Sequence, residues 1–279
     1  MDAEKRRVVV AGARGVFGSL LVDELREAYD VVPTTRDTLD LRDVAAVARA
    51  ARGAYAFACA AGPFQQLDRA IVRAVVNEGV HWLDIADDAQ WFFELIDDPS
   101  LDALARERGV VVMPGLSSLP AISCALARRL VEDRQSCLSG QPRLPVLHIT
   151  LFIGNDNKKG AGAIASGAAL NSPDRELLRR EGIDATARAK FELPGAALAM
   201  RALSVLPVSA RVRLAKAISR FVPRFGSSGG YVAVNGVRVE GGQRMAILPL
   251  VYALAHLDGR SGCLPPTVLD AKELLEFLQ

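Results

Sequence analysis

Arg6-Arg7-Val8-Val9-Val10-Ala11-Gly12-Ala13-Arg14-Gly15-Val16-Phe17-Gly18 is the stretch that decides the fold. Its apolar first half is typical of a buried strand, and Ser19 to Leu25 follows with apolar residues at helical spacing. Three glycines therefore lie between a strand and a helix. There a pyrophosphate can approach the backbone closely and meet the free N–H groups of the helix N-terminus. The stretch predicts a dinucleotide-binding unit.

Each glycine of this stretch has a predicted role. Gly12 makes the tight turn, Gly15 admits the phosphate, and Gly18 lets helix and strand pack together. The spacing is GxxGxxG instead of GxGxxG, a variant common among NADP-using reductases. The residues predicted here to form the cofactor site are Gly12, Arg14, Gly15, Val16, Phe17 and Gly18.

The second predicted strand, Asp30 to Thr35, bears on the choice of cofactor. NAD-specific enzymes usually carry Asp or Glu about twenty residues after the glycines, where it holds the ribose 2′-hydroxyl. Here the strand ends in Thr34-Thr35-Arg36-Asp37. Hydroxyls and a guanidinium suit a 2′-phosphate, because Arg binds phosphate in bidentate fashion. We predict NADP, with Thr35 and Arg36 as ligands, and NAD stays open because Asp37 can hold the ribose after a small shift.

The segment from Thr38 to Asp43 begins too soon after the second strand for a parallel crossover, which needs a dozen or more residues. We therefore expect the third strand of the unit to be vestigial or rearranged, and we assign Asp40 and Leu41 to the cofactor site. The next predicted strand, 54–60, ends in small residues that fit contact with a dinucleotide beside the first strand. These further cofactor contacts are Ala61, Gly62 and Pro63.

Strand and helix then alternate as far as the helix that ends near residue 130, which predicts an α/β fold with a doubly wound parallel Rossmann sheet. This dinucleotide-binding domain spans 1–132. A second α+β domain for substrate binding and dimerisation is predicted over 146–258, with helices from Asp174 to about Arg220 and a hairpin at Asn235-Gly236. Residues 259–279 are predicted to form a C-terminal helix, and the family resemblance given below implies that it returns to the first domain.

Composition narrows the function classes. Half of the 279 residues are apolar, 24% are charged, and the net charge of +2 is spread along the chain, so nucleic acid is not an expected partner. The longest apolar run is too short for a membrane span, and no signal peptide is visible, so we expect a cytoplasmic protein. The four cysteines form no CxxC pair, and no metal site is predicted.

Five motifs resemble, in the same order along the chain, the landmarks of the saccharopine dehydrogenase-like oxidoreductases. They are GAxGxxG, Leu39-Asp40-Leu41-Arg42-Asp43, Ala61-Gly62-Pro63-Phe64, Gly79 to Ile85 and Pro114 to Pro120. The resemblance is specific over roughly residues 6–130. It implies hydride transfer between a nicotinamide and the C=N bond of an amino-acid imine, or in some relatives a C=C bond. It also implies a second domain that binds the small-molecule substrate and forms a homodimer.

Candidates for the chemistry come from the ends of later strands. The proton donor is predicted among Asp84, Asp87 and His81, with Asp88, His148 or a water molecule as alternatives. Substrate contacts are predicted at Ser117, Ser118 and Lys158. No tyrosine has a lysine four residues on, which argues against the Tyr-Lys mechanism of the short-chain dehydrogenases.

The sequence therefore favours an NADP-dependent oxidoreductase that acts on a small carboxylate-bearing imine or amino-acid-type substrate. An enoyl reductase of the same family is the enzymatic alternative. A module that binds NADP without turnover is the alternative from another class.

Overall fold

The computed structural model of the chain describes residues 4–137, 146–153, 171–191, 207, 210 and 229–279. The strands are β1 Arg7–Ala11, β2 Asp30–Thr34, β3 Ala56–Cys59, β4 His81–Asp84, β5 Val111–Met113, β6 Leu147–Ile153, β7 Ala185–Phe191, β8 Gly230–Val234, β9 Val237–Glu240 and β10 Gly262–Cys263. The helices are α1 Val16–Leu25, α2 Val44–Ala51, α3 Ala70–Asn77, α4 Ala89–Ile96, α5 Pro99–Arg108, α6 Ser123–Cys137, α7 Asp174–Arg180, α8 Leu248–Leu254 and α9 Ala271–Phe277. None of these helices is both long and apolar enough to cross a membrane.

The first sheet has six parallel strands in the order β10-β5-β4-β3-β1-β2. Helices connect its strands, so the predicted Rossmann-type α/β fold is confirmed. Residues 38–43 form turns and no strand, and β2 is consequently the edge of the sheet. The chain then enters α2 directly, with the Asp43 carboxylate accepting the backbone N–H of Ala46 at 2.9 Å as an N-cap.

The central strands are buried on both faces, as parallel strands covered by helices must be. Val8, Val9 and Val10 of β1 have no exposed surface. Phe57 of β3 and Trp82 of β4 are also fully buried, and their rings stack with centroids 5.3 Å apart. This rigid layer fixes the strand ends that carry the site.

The second sheet is mixed, with the order β7-β6-β8-β9. β6 pairs with β7 in parallel and with β8 antiparallel, and β8 and β9 form a hairpin. Its turn residues Asn235 and Gly236 have φ values of 48° and 90°, as the tight two-residue hairpin turn requires. The predicted hairpin and the predicted second α+β layer are confirmed.

One prediction for this part of the chain was wrong. Helical segments were expected from Asp174 to about Arg220, but Ala185–Phe191 is strand β7, paired along its length with β6. The sequence Ala-Thr-Ala-Arg-Ala-Lys-Phe alternates small and polar residues with the period of a strand. Residues 192–206 and 211–228 lie outside the described residues. A linker was expected over 133–145, between the two predicted domains, but residues 133–137 continue α6, and 138–145 lie outside the described residues.

The C-terminal residues pack against the first sheet. β10 pairs with β5 as a sixth strand, and α9 contacts α6. α8 contacts α1. A strand of two residues carries no sequence pattern, and for that reason β10 was not predicted. The boundaries drawn at 132, 146 and 258 stay predictions.

Candidate functional site

A cleft of about 830 Å³ lies at the carboxyl ends of β1, β2, β3 and β4. Open parallel sheets bind ligands at this edge, because the strand-to-helix connections diverge there. The cleft is lined by Ala11, Gly12, Arg14, Gly15, Val16, Phe17, Thr34, Thr35, Arg36, Asp37, Leu39, Asp40, Leu41, Arg42, Ala60, Ala61, Gly62, Pro63, Phe64, Gln66, Leu67, Ile85 and Asp87. Every predicted cofactor contact except Gly18 belongs to this wall.

The glycine turn after β1 forms the floor of the cleft. Gly12 has φ 82°, and a Cβ there would approach the backbone of Ala60 and Ala61 to 3.0 Å. Gly15 precedes α1. The first N–H groups of a helix have no partner inside the helix, and in α1 no side chain caps them. Such groups form an anion site. Gly18 is buried against the carbonyl of Gly12, where no Cβ fits, and this explains why it lies beneath the cleft.

The cleft end beside β2 holds three guanidinium groups. Arg14 forms an ion pair with Asp37 at 2.6 Å. Arg42 binds the Asp40 carboxylate through Nε, Nη2 and its backbone N–H, and this holds the pKa of Asp40 well below its usual range. Among the described residues, Arg36 forms no hydrogen bond or close ion pair with a carboxylate, although its positive charge helps to lower the pKa of Asp40. It is the guanidinium of this wall that is available to an anionic ligand.

The cleft end beside β4 is different in chemistry. Its wall contains Phe64, Gln66, Leu67, Ile85 and Asp87. Asp87 is half-buried, and among the described residues no other residue donates a hydrogen bond to its carboxylate. Burial raises the pKa of Asp87 to about 6, and the nearby charges of Asp88 and Asp174 act in the same direction. β2 and β4 are three strand spacings apart, which separates the two ends by ~14 Å.

Asp84, the first predicted proton donor, has a structural role instead. It is fully buried, and its Oδ2 accepts hydrogen bonds from the indole N–H groups of Trp82 and Trp91, each at 2.9 Å. Its Oδ1 accepts the backbone N–H groups of Ala86 and Gly115. Burial raises the pKa of Asp84, and the four donors act against that rise. With both oxygens engaged, Asp84 joins β4, α4 and the turn after β5, and it faces no ligand.

His81 also lies away from the cleft. It begins β4, at the amino end of the strand, whereas the cleft lies at the carboxyl ends. Its Nδ1 accepts the backbone N–H of Val111 at 2.9 Å, and the ring of Tyr55 packs edge-on against it. Burial lowers the pKa of His81 to about 4, so the imidazole is neutral near pH 7. The structure does not place His81 in the cleft wall, and its role as a proton donor stays a prediction.

The two described residues among the predicted substrate contacts are not brought into the cleft wall. Ser117 and Ser118 are buried in the turn after β5 and do not line the cleft. Lys158 lies outside the described residues. The described cysteines Cys59, Cys124 and Cys263 are buried and free. Within the described ranges, no group of three or more His, Cys, Asp or Glu residues is placed to hold a metal.

Sequence reasoning missed part of the wall. Phe64, Gln66 and Leu67 follow β3 in a short helical turn, and Ile85 follows β4. Arg42 was noticed only as part of a motif. All of them come after strand ends or beside predicted contacts. The rule that the carboxyl ends of parallel strands carry the site could therefore have identified them.

No protein-family model and no curated protein sequence matches the chain. Among solved structures, the homospermidine synthase from Legionella pneumophila in complex with NAD is 9% identical, and the match covers 99% of this chain and 89% of that protein with a TM-score of 0.53. The chain shares the fold of this homospermidine synthase. At this identity the likeness shows the fold alone, and it confirms the fold that the sequence motifs implied.

Two other solved structures show weaker similarity to this fold. The saccharopine dehydrogenase (L-Glu forming) from Saccharomyces cerevisiae is 14% identical over 59% of this chain, with a TM-score of 0.41. The match spans only 39% of that protein's length. The dTDP-4-dehydrorhamnose reductase from Bacillus anthracis in complex with NADP is 12% identical over 68% of this chain and 86% of that protein, with a TM-score of 0.30.

Proposed function

We propose that the chain is an NADP(H)-dependent reductase that transfers hydride between the nicotinamide and a small imine or amino-acid-type substrate carrying a carboxylate. The observation that carries this proposal is the cleft itself. Its glycine floor is free of side chains, an unpaired guanidinium lies at one end, and an unpaired carboxylate lies at the other.

The residues of the floor fit a dinucleotide. The pyrophosphate would be held by the glycine turn and the N-terminus of α1, because both present backbone N–H groups without side-chain obstruction. Arg36 would bind the 2′-phosphate, and the Thr35 hydroxyl on the same wall would donate to it. Arg36 is the reason for preferring NADP to NAD.

The residues at the other end fit the chemistry. When bound, the nicotinamide supplies or accepts the hydride, and the protein contributes orientation and a proton. Asp87 is the described carboxylate in the wall at this end, and its pKa near 6 keeps part of it protonated near neutral pH. In the direction of reduction, Asp87 would donate its proton to the substrate nitrogen.

A binding titration tests the cofactor half of the proposal. Purified protein is titrated with NADPH and with NADH, and the fluorescence of the cofactor is followed. NADPH should bind more tightly, and Arg36→Ala should weaken NADPH binding about tenfold to a hundredfold while leaving NADH nearly unchanged, as expected for loss of a charge-assisted hydrogen-bonded pair. Arg49→Ala, on the exposed face of α2 outside the cleft, is the matched control.

A turnover assay tests the catalytic half. Oxidation of NADPH is followed with a panel of cyclic and acyclic imines that carry a carboxylate, and with enoyl compounds as the comparison. Turnover of imines supports the proposal, and turnover of enoyl compounds alone replaces the C=N substrate with a C=C one. Tight binding of NADPH without turnover of either class would make the chain a non-catalytic binding module.

A further inference from the structure

The cleft end beside β2 contains more than the free Arg36. Three guanidinium groups share that end with two carboxylates, so both carboxylates lie where the adenosine ribose of a dinucleotide would be bound. An acid at this position favours a ribose hydroxyl and opposes a 2′-phosphate, because phosphate and carboxylate repel each other. The wall therefore carries groups suited to each cofactor.

The two carboxylates differ in how firmly they are held. Asp40 is bound by Arg42 through three N–H groups within a single tight turn. Within the part of the chain that the structure describes, Asp37 has one ion-pair partner, Arg14, which belongs to the glycine turn. The side chains of Arg14 and Asp37 are 77% and 75% exposed. An ion pair exposed to this degree contributes little stability and is easily exchanged.

We propose that Asp37 is the exchangeable counter-ion of Arg14 and sets the preference of the site between NADP and NAD. This inference rests on the proposed function and extends it. A 2′-phosphate displaces Asp37 from Arg14, so that Arg14 and Arg36 both bind the phosphate. When the ribose carries a 2′-hydroxyl instead, Asp37 stays paired with Arg14 and accepts a hydrogen bond from that hydroxyl.

Two consequences follow from this exchange. The wild-type site accepts both cofactors, and the preference for NADPH is smaller than two arginines alone would give, because binding the phosphate costs the Arg14–Asp37 pair. Replacing Asp37 with a neutral residue of the same shape means that binding the phosphate no longer breaks an ion pair. It also removes the negative charge of the group that accepts the hydrogen bond from the ribose. The affinities for the two cofactors should then move in opposite directions.

The experiment compares 2′,5′-ADP, 5′-AMP, NADPH and NADH as ligands of the full chain and its Asp37→Asn variant, by calorimetry at low ionic strength. Asp37→Asn should tighten binding of 2′,5′-ADP and NADPH about fivefold, the effect expected of one screened charge beside a phosphate. It should weaken binding of 5′-AMP and NADH about twofold to threefold, since a hydrogen bond to a charged acceptor is replaced by a neutral one. Repetition at high salt should shrink the gain for 2′,5′-ADP.

Asp30→Asn is the matched control. Asp30 begins β2 and pairs with Arg7 at 3.0 Å, with a side chain 50% exposed, but it lies at the amino edge of the sheet and outside the cleft. It should change none of the four affinities. Thermal unfolding of both variants checks that neither change disturbs the fold.

The outcomes separate this inference from the function on which it rests. If the wild-type chain binds neither NADPH nor NADH, the proposed function fails, and the assignment of Asp37 fails with it. If the wild-type chain binds them and Asp37→Asn leaves the ratio of the two affinities unchanged, only the role of Asp37 is overturned. A change of equal size in the control variant would also overturn it, because the effect would then be one of net charge.

Discussion

Asp84 and Asp87 lie three residues apart at the end of the same strand, and their surroundings give them opposite roles. Asp84 is enclosed and accepts four N–H donors, whereas Asp87 lines the cleft with no donor from another described residue. The same substitution at the two positions should therefore separate stability from turnover.

Asp87→Asn should fold normally and lose turnover. We expect kcat to fall by roughly a hundredfold or more, because a general acid commonly contributes that much, while NADPH affinity stays within about twofold. The pKa of about 6 also fixes the pH dependence: the proton is present below pH 6 and is lost above it, so kcat/KM for reduction should fall as the pH rises through about 6. A pH profile of wild-type and variant enzyme checks this, and an unchanged rate in the variant would exclude Asp87 as the donor.

Asp84→Asn should destabilise the protein without any specific effect on the site. An amide NH2 would replace one carboxylate oxygen and face either the indole N–H groups of Trp82 and Trp91 or the backbone N–H groups of Ala86 and Gly115, which leaves buried donors unpaired. The expected loss is about 2–4 kcal/mol in the free energy of unfolding, measured by urea denaturation. Stability equal to that of Asp87→Asn would contradict the structural role assigned to Asp84.

The sequence alone could not separate these two carboxylates. Both follow a predicted strand, and strand ends were the correct place to look. What decides between them is the indole of Trp91, which reaches from α4 to Asp84 and occupies its second oxygen together with Trp82. Contacts of this kind depend on how a helix packs on a sheet, and no local pattern encodes them. The glycine roles, by contrast, were predictable because they depend on neighbouring backbone.

At the scale of elements, the contact between β1 and α1 depends on Gly18. A Cβ there would overlap the carbonyl of Gly12, so Gly18→Ala must push α1 away from the turn. We expect a loss of about 3 kcal/mol in the free energy of unfolding, near the upper end for overpacking, together with weaker NADPH binding.

Gly53→Ala is the control for this prediction. Gly53 has φ 73° and open space around its Cβ position, so the substitution adds backbone strain of about 1–2 kcal/mol and no clash. It lies outside the cleft and should leave NADPH affinity unchanged. If the two variants lost equal stability and affinity, the close packing assigned to Gly18 would be wrong.

Two elements of the second sheet show when a sequence pattern predicts the structure and when it does not. The hairpin β8–β9 was predicted because Asn-Gly fixes a two-residue turn through its own backbone preferences. β7 was mistaken for helix because its alanines suit a helix, and its partner β6 lies more than thirty residues earlier in the chain. Pairing with that distant strand overrides the local preference.

At the scale of the whole molecule, the last residues complete the first sheet and cover its helices. Leu274, Leu275 and Leu278 of the C-terminal segment are buried, and each contributes about 1.5–3 kcal/mol. Their sum is comparable to the roughly 5–15 kcal/mol that stabilises a domain. A chain ending at Arg260, without β10 and α9, should therefore lose cooperative thermal unfolding, whereas a chain ending at Leu278 should keep it. Cooperative unfolding of the shorter chain would show that the C-terminal segment is dispensable.

The central claim is that the cleft holds a nicotinamide dinucleotide across its full width, with the adenosine beside Arg36 and the nicotinamide beside Asp87. A crystal structure of the chain grown with NADP⁺ tests it most directly. We expect the pyrophosphate against Gly12 and Gly15, the 2′-phosphate on Arg36 and the nicotinamide ring next to Asp87. A dinucleotide bound in the reverse direction, bound elsewhere, or absent at saturating concentration would contradict it.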